Sequence, residues 1–148
     1  MSYATAAELR QRIGGSVFNE IYNLPVQSDL SDLSDKSDIA DDLESAAAEI
    51  DGAIAARYAL PVTGSRSLAL LKDWNLTLAE ERAYARPAGG DFTEKIKRRV
   101  DQVRKYLDMI RADKFRLPDA PENMASSGKI ALVRRDDPVF DRGKTTGF

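Results

Sequence analysis

The chain has 148 residues, with 22 Lys and Arg against 24 Asp and Glu, and it contains neither Cys nor His. The first absence removes disulfides, thiolate metal sites and cysteine nucleophiles, and the second removes the usual general base and imidazole ligand, so neither an enzyme nor a cofactor or metal protein is expected. Leu, Ile, Val and Phe supply only 34 residues while Ala supplies 20, so the core is thin in large side chains, and part of the apolar surface is expected to be kept for partners.

Charge is unevenly placed. Residues 1–60 carry four bases against eleven acids, and residues 61–148 carry 18 bases against 13 acids. Such polarity either attracts copies of the subunit head to tail or amounts to two solvated faces. No stretch approaches the roughly 18 apolar residues of a membrane span. The opening Met-Ser-Tyr-Ala-Thr lacks the basic and apolar regions of a signal peptide, so a soluble intracellular chain without membrane contact is expected.

In chain order, Thr5-Ala6-Ala7-Glu8 is a capping box opening a first helix, with Leu9 and Ile13 on one face and Gly14-Gly15 as its stop. A short amphipathic piece with Val17, Phe18, Ile21 and Tyr22 follows and ends at Leu24-Pro25. Residues 27–38 place Asp every third position. A calcium loop alternates ligands every second residue and needs a Gly at its turn, so an exposed acidic loop is expected.

The spacing then predicts a long helix from about Ile39 to Tyr58, with Leu43, Ala47, Ile50, Ile54 and Tyr58 as its apolar stripe and Ala residues around them. Tyr22-Asn-Leu-Pro-Val and Tyr58-Ala-Leu-Pro-Val read as two similar helix stops rather than a repeat, because their flanks differ. A third long helix is predicted from about Ser67 to Arg86, burying Leu68, Leu71, Trp74 (or Asn75) and Leu78. A fourth runs from about Phe92 to Phe115 on a seam of Ile96, Val100, Val103, Leu107 and Ile110.

That last helix is otherwise basic. Its Lys95, Arg98, Arg99 and Lys105 are candidates for contact with DNA phosphates, without base reading, or with neighbouring subunits. The alternative is a solvated face with local pairing to Asp101 and Asp108. Beyond Leu117-Pro118 periodicity stops. Lys129-Ile-Ala-Leu-Val-Arg134 reads as one short strand, which cannot stand alone and must pair elsewhere. Ile130, Leu132, Val133, Phe140, Arg142 and Phe148 have no internal helix to pack on and are candidate partner contacts. The expected architecture is an all-α bundle of four to five helices over residues 1–116, with an extended C-terminal arm over 117–148.

Ala47-Ala-Glu-Ile-Asp-Gly-Ala-Ile-Ala-Ala-Arg-Tyr-Ala-Leu-Pro61 resembles the signature helix of the Mu-like phage neck protein family. Tyr3-Ala-Thr-Ala-Ala-Glu-Leu-Arg and the closing Val139-Phe-Asp-Arg-Gly-Lys-Thr-Thr-Gly-Phe148 are similar to the same family. By position, Asp51, Arg57, Tyr58, Phe140, Arg142 and Phe148 carry the match. The resemblance implies a head–tail connector, or adaptor, of the virion. Such a protein assembles from the host cytoplasm into a ring, usually twelve-fold, below the portal protein. The ring extends the DNA channel and meets the next neck or tail-completion protein. The resemblance brings no catalytic residues. The Asp/Ser repeat and Trp74 depart from it. A different neck ring such as the stopper, and a non-specific nucleic-acid-binding bundle, are the alternatives. Either the basic helix or the acidic loop would face the channel.

Overall fold

The computed structural model describes residues 2–26 and 37–122. The acidic repeat at 27–36 and the candidate contacts Ile130, Leu132, Val133, Phe140, Arg142 and Phe148 lie outside the described residues. Within them the fold is all-α. It comprises α1 (Ala6–Ile13), α2 (Gly15–Ile21), α3 (Ser37–Ile54), α4 (Ser65–Tyr84) and α5 (Glu94–Arg111).

The capping box at Thr5 forms as expected. The Glu8 N–H donates to Thr5 Oγ1 at 3.4 Å, and the Thr5 N–H donates to Glu8 Oε2 at 2.9 Å. Gly14, at φ 101°, breaks α1 from α2 in a conformation that an L side chain rarely adopts.

Helices α3, α4 and α5 form the body, with α1 against α4 and α3, and α2 beside α1. On α3, Leu43, Ala46, Ala47, Ile50, Ala53 and Ile54 are buried. Leu71, Trp74, Leu78, Ala79 and Ala83 answer from α4, and Ile96, Val100, Val103, Leu107 and Ile110 from α5. The alanines compensate for the shortage of large residues, since small side chains let helix axes approach closely. Trp74 stacks on Tyr106 at 5.8 Å between ring centroids, and Phe115 tilts against both.

Three expectations are corrected. The long helix ends at Ile54, and residues 55–57 turn so that Tyr58 forms an isolated antiparallel bridge with Glu122. Tyr58 is buried by that return of the chain, outside the helix. On α4, Leu68 is exposed, and the buried face begins with Ser67 and Leu71. The basic helix is shorter at both ends than its pattern predicts, with Phe92 and Phe115 outside it.

Several buried polar groups find partners between elements. Asn75 donates to the Leu43 carbonyl at 3.0 Å and accepts from Ser2 Oγ at 3.2 Å. The Tyr22 hydroxyl donates to Asp42 at 2.7 Å, while Arg86 grips the same carboxylate through Nε at 2.8 Å and Nη2 at 3.0 Å. Arg104 of α5 reaches both Glu49 of α3 and Glu81 of α4, and Arg82 also meets Glu49.

Two glycines separate packing from propensity. A Cβ on Gly64 would collide with the backbone and side chain of Asp119, whereas one on Gly52, inside α3, would meet nothing. Gly64→Ala should therefore cost about 2 kcal/mol, and Gly52→Ala should gain about 0.5–1 kcal/mol. Chemical denaturation of both variants checks the opposite signs.

Candidate functional site

The residues singled out on α3 and just after it all hold other segments of the chain. Asp51 accepts a hydrogen bond from the Tyr3 hydroxyl. Burial, and then that bond, push the Tyr3 phenol up, so it stays a donor at neutral pH. Arg57 pairs with Asp113, just past α5, and with Glu122 at 3.4 Å. The buried Tyr58 hydroxyl accepts from the Leu117 N–H at 2.9 Å. One stretch thus fixes the N-terminal segment at one point and the chain beyond α5 at several.

The returning segment also completes α4. No local side chain caps that helix. Instead the Asp119 carboxylate accepts from the Arg66 N–H at 2.9 Å and the Ser67 N–H at 2.8 Å, satisfying donors of the first turn from 53 and 52 residues away. Gly64 lets Asp119 come this close. Hydrogen bonding from Ser67, then from the Arg66 N–H, holds the Asp119 carboxyl below its ordinary range.

Between these two clamps lies an open groove of about 880 Å³. Its lining includes Tyr3, Asp51, Leu60, Pro61, Leu68 and Lys72 and is mostly apolar. Leu60 and Leu68 stay 42% and 37% exposed there. Lys72 is held by Glu8 at 2.6 Å, so the groove's own cation is already matched. Asp51, Leu60 and Pro61 belong to the stretch that carries the family resemblance, and they line the groove together with Tyr3. Sequence reading reached Asp51 but missed Leu60, Leu68 and Lys72. Leu68 stands three residues before Leu71, as a member of the buried face would, so periodicity carried no signal of its exposure.

The basic face is a second, separate feature. Lys95, Arg98 and Arg99 share one side of α5, with Lys105 at its edge. Arg99 is not free for a partner in the same way as the others. It pairs with the buried Glu80 at 3.2 Å, and Arg12 of α1 pairs with Glu80 at 3.3 Å. Lys95, Arg98 and Lys105 are exposed and form no ion pair with described residues. A smaller cleft of about 310 Å³ between α1, α4 and α5 is lined by Arg12, Arg98, Arg99 and Tyr106 among others.

Among the described residues no group of three or more Asp or Glu could hold a metal ion, and no helix is long and apolar enough to cross a membrane. A family model described as Bacteriophage Mu, Gp36 matches residues 3–133 of the chain. The matched span contains both clamps, the groove and the basic face, and it stops before Phe140. No curated protein and no solved structure gives a match.

The depressed Asp119 carboxyl has a pH consequence. Its contribution to stability is complete above the ordinary carboxylate pKa and is lost as pH falls through the lower folded-state value. Asp119→Asn should therefore destabilise the protein at pH 7 and leave melting less sensitive to acid below about pH 4. Thermal melts of both proteins from pH 7 to pH 3 check this, with the two curves converging at the acid end.

Proposed function

The chain belongs to the Bacteriophage Mu Gp36 family, and on that premise we propose that it is a structural subunit of the phage particle, a head–tail connector or adaptor. It assembles as a ring below the portal protein, twelve-fold to match it, extends the DNA channel, and offers its far side to the next neck or tail-completion protein. It works by assembly and not by catalysis, without a cofactor, and its place is the virion neck.

The family match over residues 3–133 carries this reading. The geometry supports it in physical terms. The residues of the signature stretch form a frame that fixes the last described residue, Glu122, and they border an apolar groove. A ring subunit needs such a fixed exit, because every copy must present its arm in the same direction. The polar, acid-poor end beyond it, with Phe140, Arg142 and Phe148, supplies apolar and cationic anchors for a neighbour or the portal. Residues 117–122 cap α4 and satisfy Tyr58, so a truncation must begin after Glu122 to spare the bundle.

Removing residues 123–148 should leave a protein with full helical content that no longer sediments with portal-bearing heads or completes infectious particles. Infectious virions assembled from the truncated protein would sink the role given to the arm.

The unpaired Lys95, Arg98 and Lys105 favour a second property within the same role, loose contact with DNA phosphates in the channel. Binding to duplex DNA should weaken steeply with salt, and K95A/R98A/K105A should flatten the log–log salt slope by about 2.7. Filter binding between about 50 and 200 mM salt measures it, and an unchanged slope would remove these residues from the contact.

A further inference from the structure

The chain carries an apolar groove and, further along the sequence, an apolar run beyond the described residues. The groove is lined by Leu60, Pro61, Val62, Leu68 and Ala69, with Asp51 within it. The run is Ile130-Ala131-Leu132-Val133, flanked by Lys129 on one side and Arg134-Arg135 on the other. We propose that in the isolated subunit this run, residues 129–135, seats in the groove of its own chain.

The argument begins with where the described chain ends. Glu122 is bridged to Tyr58, and Leu60, at the groove's lip, is two residues further on. A bridge places its two backbones about 5 Å apart, and two residues span at most about 7 Å, so the lip lies within about 12 Å of Glu122. Six residues, 123–128, separate Glu122 from Lys129. They reach up to about 20 Å when extended, enough to bring the run over Leu60 and Leu68 without moving a helix. Asp119 holds the same segment against Arg66 and Ser67, beside Ser65 of the groove wall, so the chain already travels along the rim.

Chemistry matches at both levels. Aliphatic side chains meet an aliphatic floor, covering two leucines that the bundle leaves exposed. The groove's lysine is held by Glu8, so Asp51 in the lining and Asp119 at the rim face the cations that flank the run. Tethering decides the source of the occupant. A short linker gives an effective concentration of about millimolar, whereas a second copy competes at its free concentration, about micromolar in solution. The self-seated form keeps the arm from joining strangers before a ring template is present. The inference stands apart from the connector reading, since it concerns the isolated chain and fails or holds without any portal.

A chain without cysteine makes the test direct. Full-length L68C/L132C places one thiol at an exposed groove position and the other in the run. Mild oxidation should give a monomeric, internally crosslinked band on non-reducing gels, at a rate independent of protein concentration. Thiols that stay free, or disulfide-linked dimers whose yield rises with concentration, would overturn self-seating, the dimers in favour of a second copy. As an independent reading, L132C labelled with dansyl should accept energy from Trp74, the single Trp, six residues along α4 from Leu68 and so about 9 Å away along the helix axis. Adding L60D/L68D, both at exposed positions, should reduce that transfer at least two-fold with helical content unchanged. Transfer that is insensitive to the groove substitutions would equally refute the proposal.

Discussion

Everything else in this molecule depends on how closely α3 can approach α4 and α5. The chain has too few large aliphatic side chains to fill a wide core, and it solves the shortage by narrowing the space. Ala46, Ala47 and Ala53 on α3 and Ala79 and Ala83 on α4 are completely buried, and Ile50, Ile54, Leu71 and Leu78 interleave among them. Dispersion forces fall off steeply over a gap of an ångström, so a core of small residues is stable only when no gap remains. Close approach also shapes the ionic outer layer. Arg104 can span from Glu49 to Glu81 because the three helices stand near enough for one guanidinium to reach both. Two bases of α5, Arg99 and Arg104, are thereby turned into ties between helices, and the rest of that helix's charge is left to face outward.

A tight three-helix body leaves little surface with which to hold the segments around it, and the chain uses directional polar contacts there. Asp51 secures the N-terminal segment, and Arg57 and Tyr58 secure the chain after α5, by hydrogen bond or ion pair. Asn75 does the same from the middle of α4, joining α3 to the N-terminal residues. Each of these groups is costly to bury alone and favourable only when its partner is in place. They therefore act as position markers, and the groove between the clamps is as well defined as the helices that support it.

Much of this was legible in advance. The capping box, the stripe of α3 and the seam of α5 were readable because each depends on residues within one or two turns, which periodicity reports directly. The family resemblance was readable from Asp51, Arg57 and Tyr58, and the family match agrees with it. What escaped was non-local. The turn after Ile54 leads into a bridge with Glu122, and the cap of α4 comes from Asp119, both far along the sequence. The buried face of α4 was only half visible because Ser67, Asn75, Thr77 and Glu80 lie on it. A polar residue in a core has no periodic signature until its partner is known. Glu80 is intelligible only beside Arg12 and Arg99, which come from two other helices.

The way the segment after α5 is fastened has a mechanical side. A pull on the chain beyond Glu122 does not begin by peeling α5 from its end. It meets first the bridge to Tyr58 and the pair with Arg57, then Asp119 on the first turn of α4, then the Leu117 N–H on the Tyr58 hydroxyl. These attachments lie on α4 and on the turn that follows α3, so tension enters the bundle at its best-packed members and is shared among several bonds. A six-residue strap, 117–122, thus anchors the chain to two separate parts of the bundle.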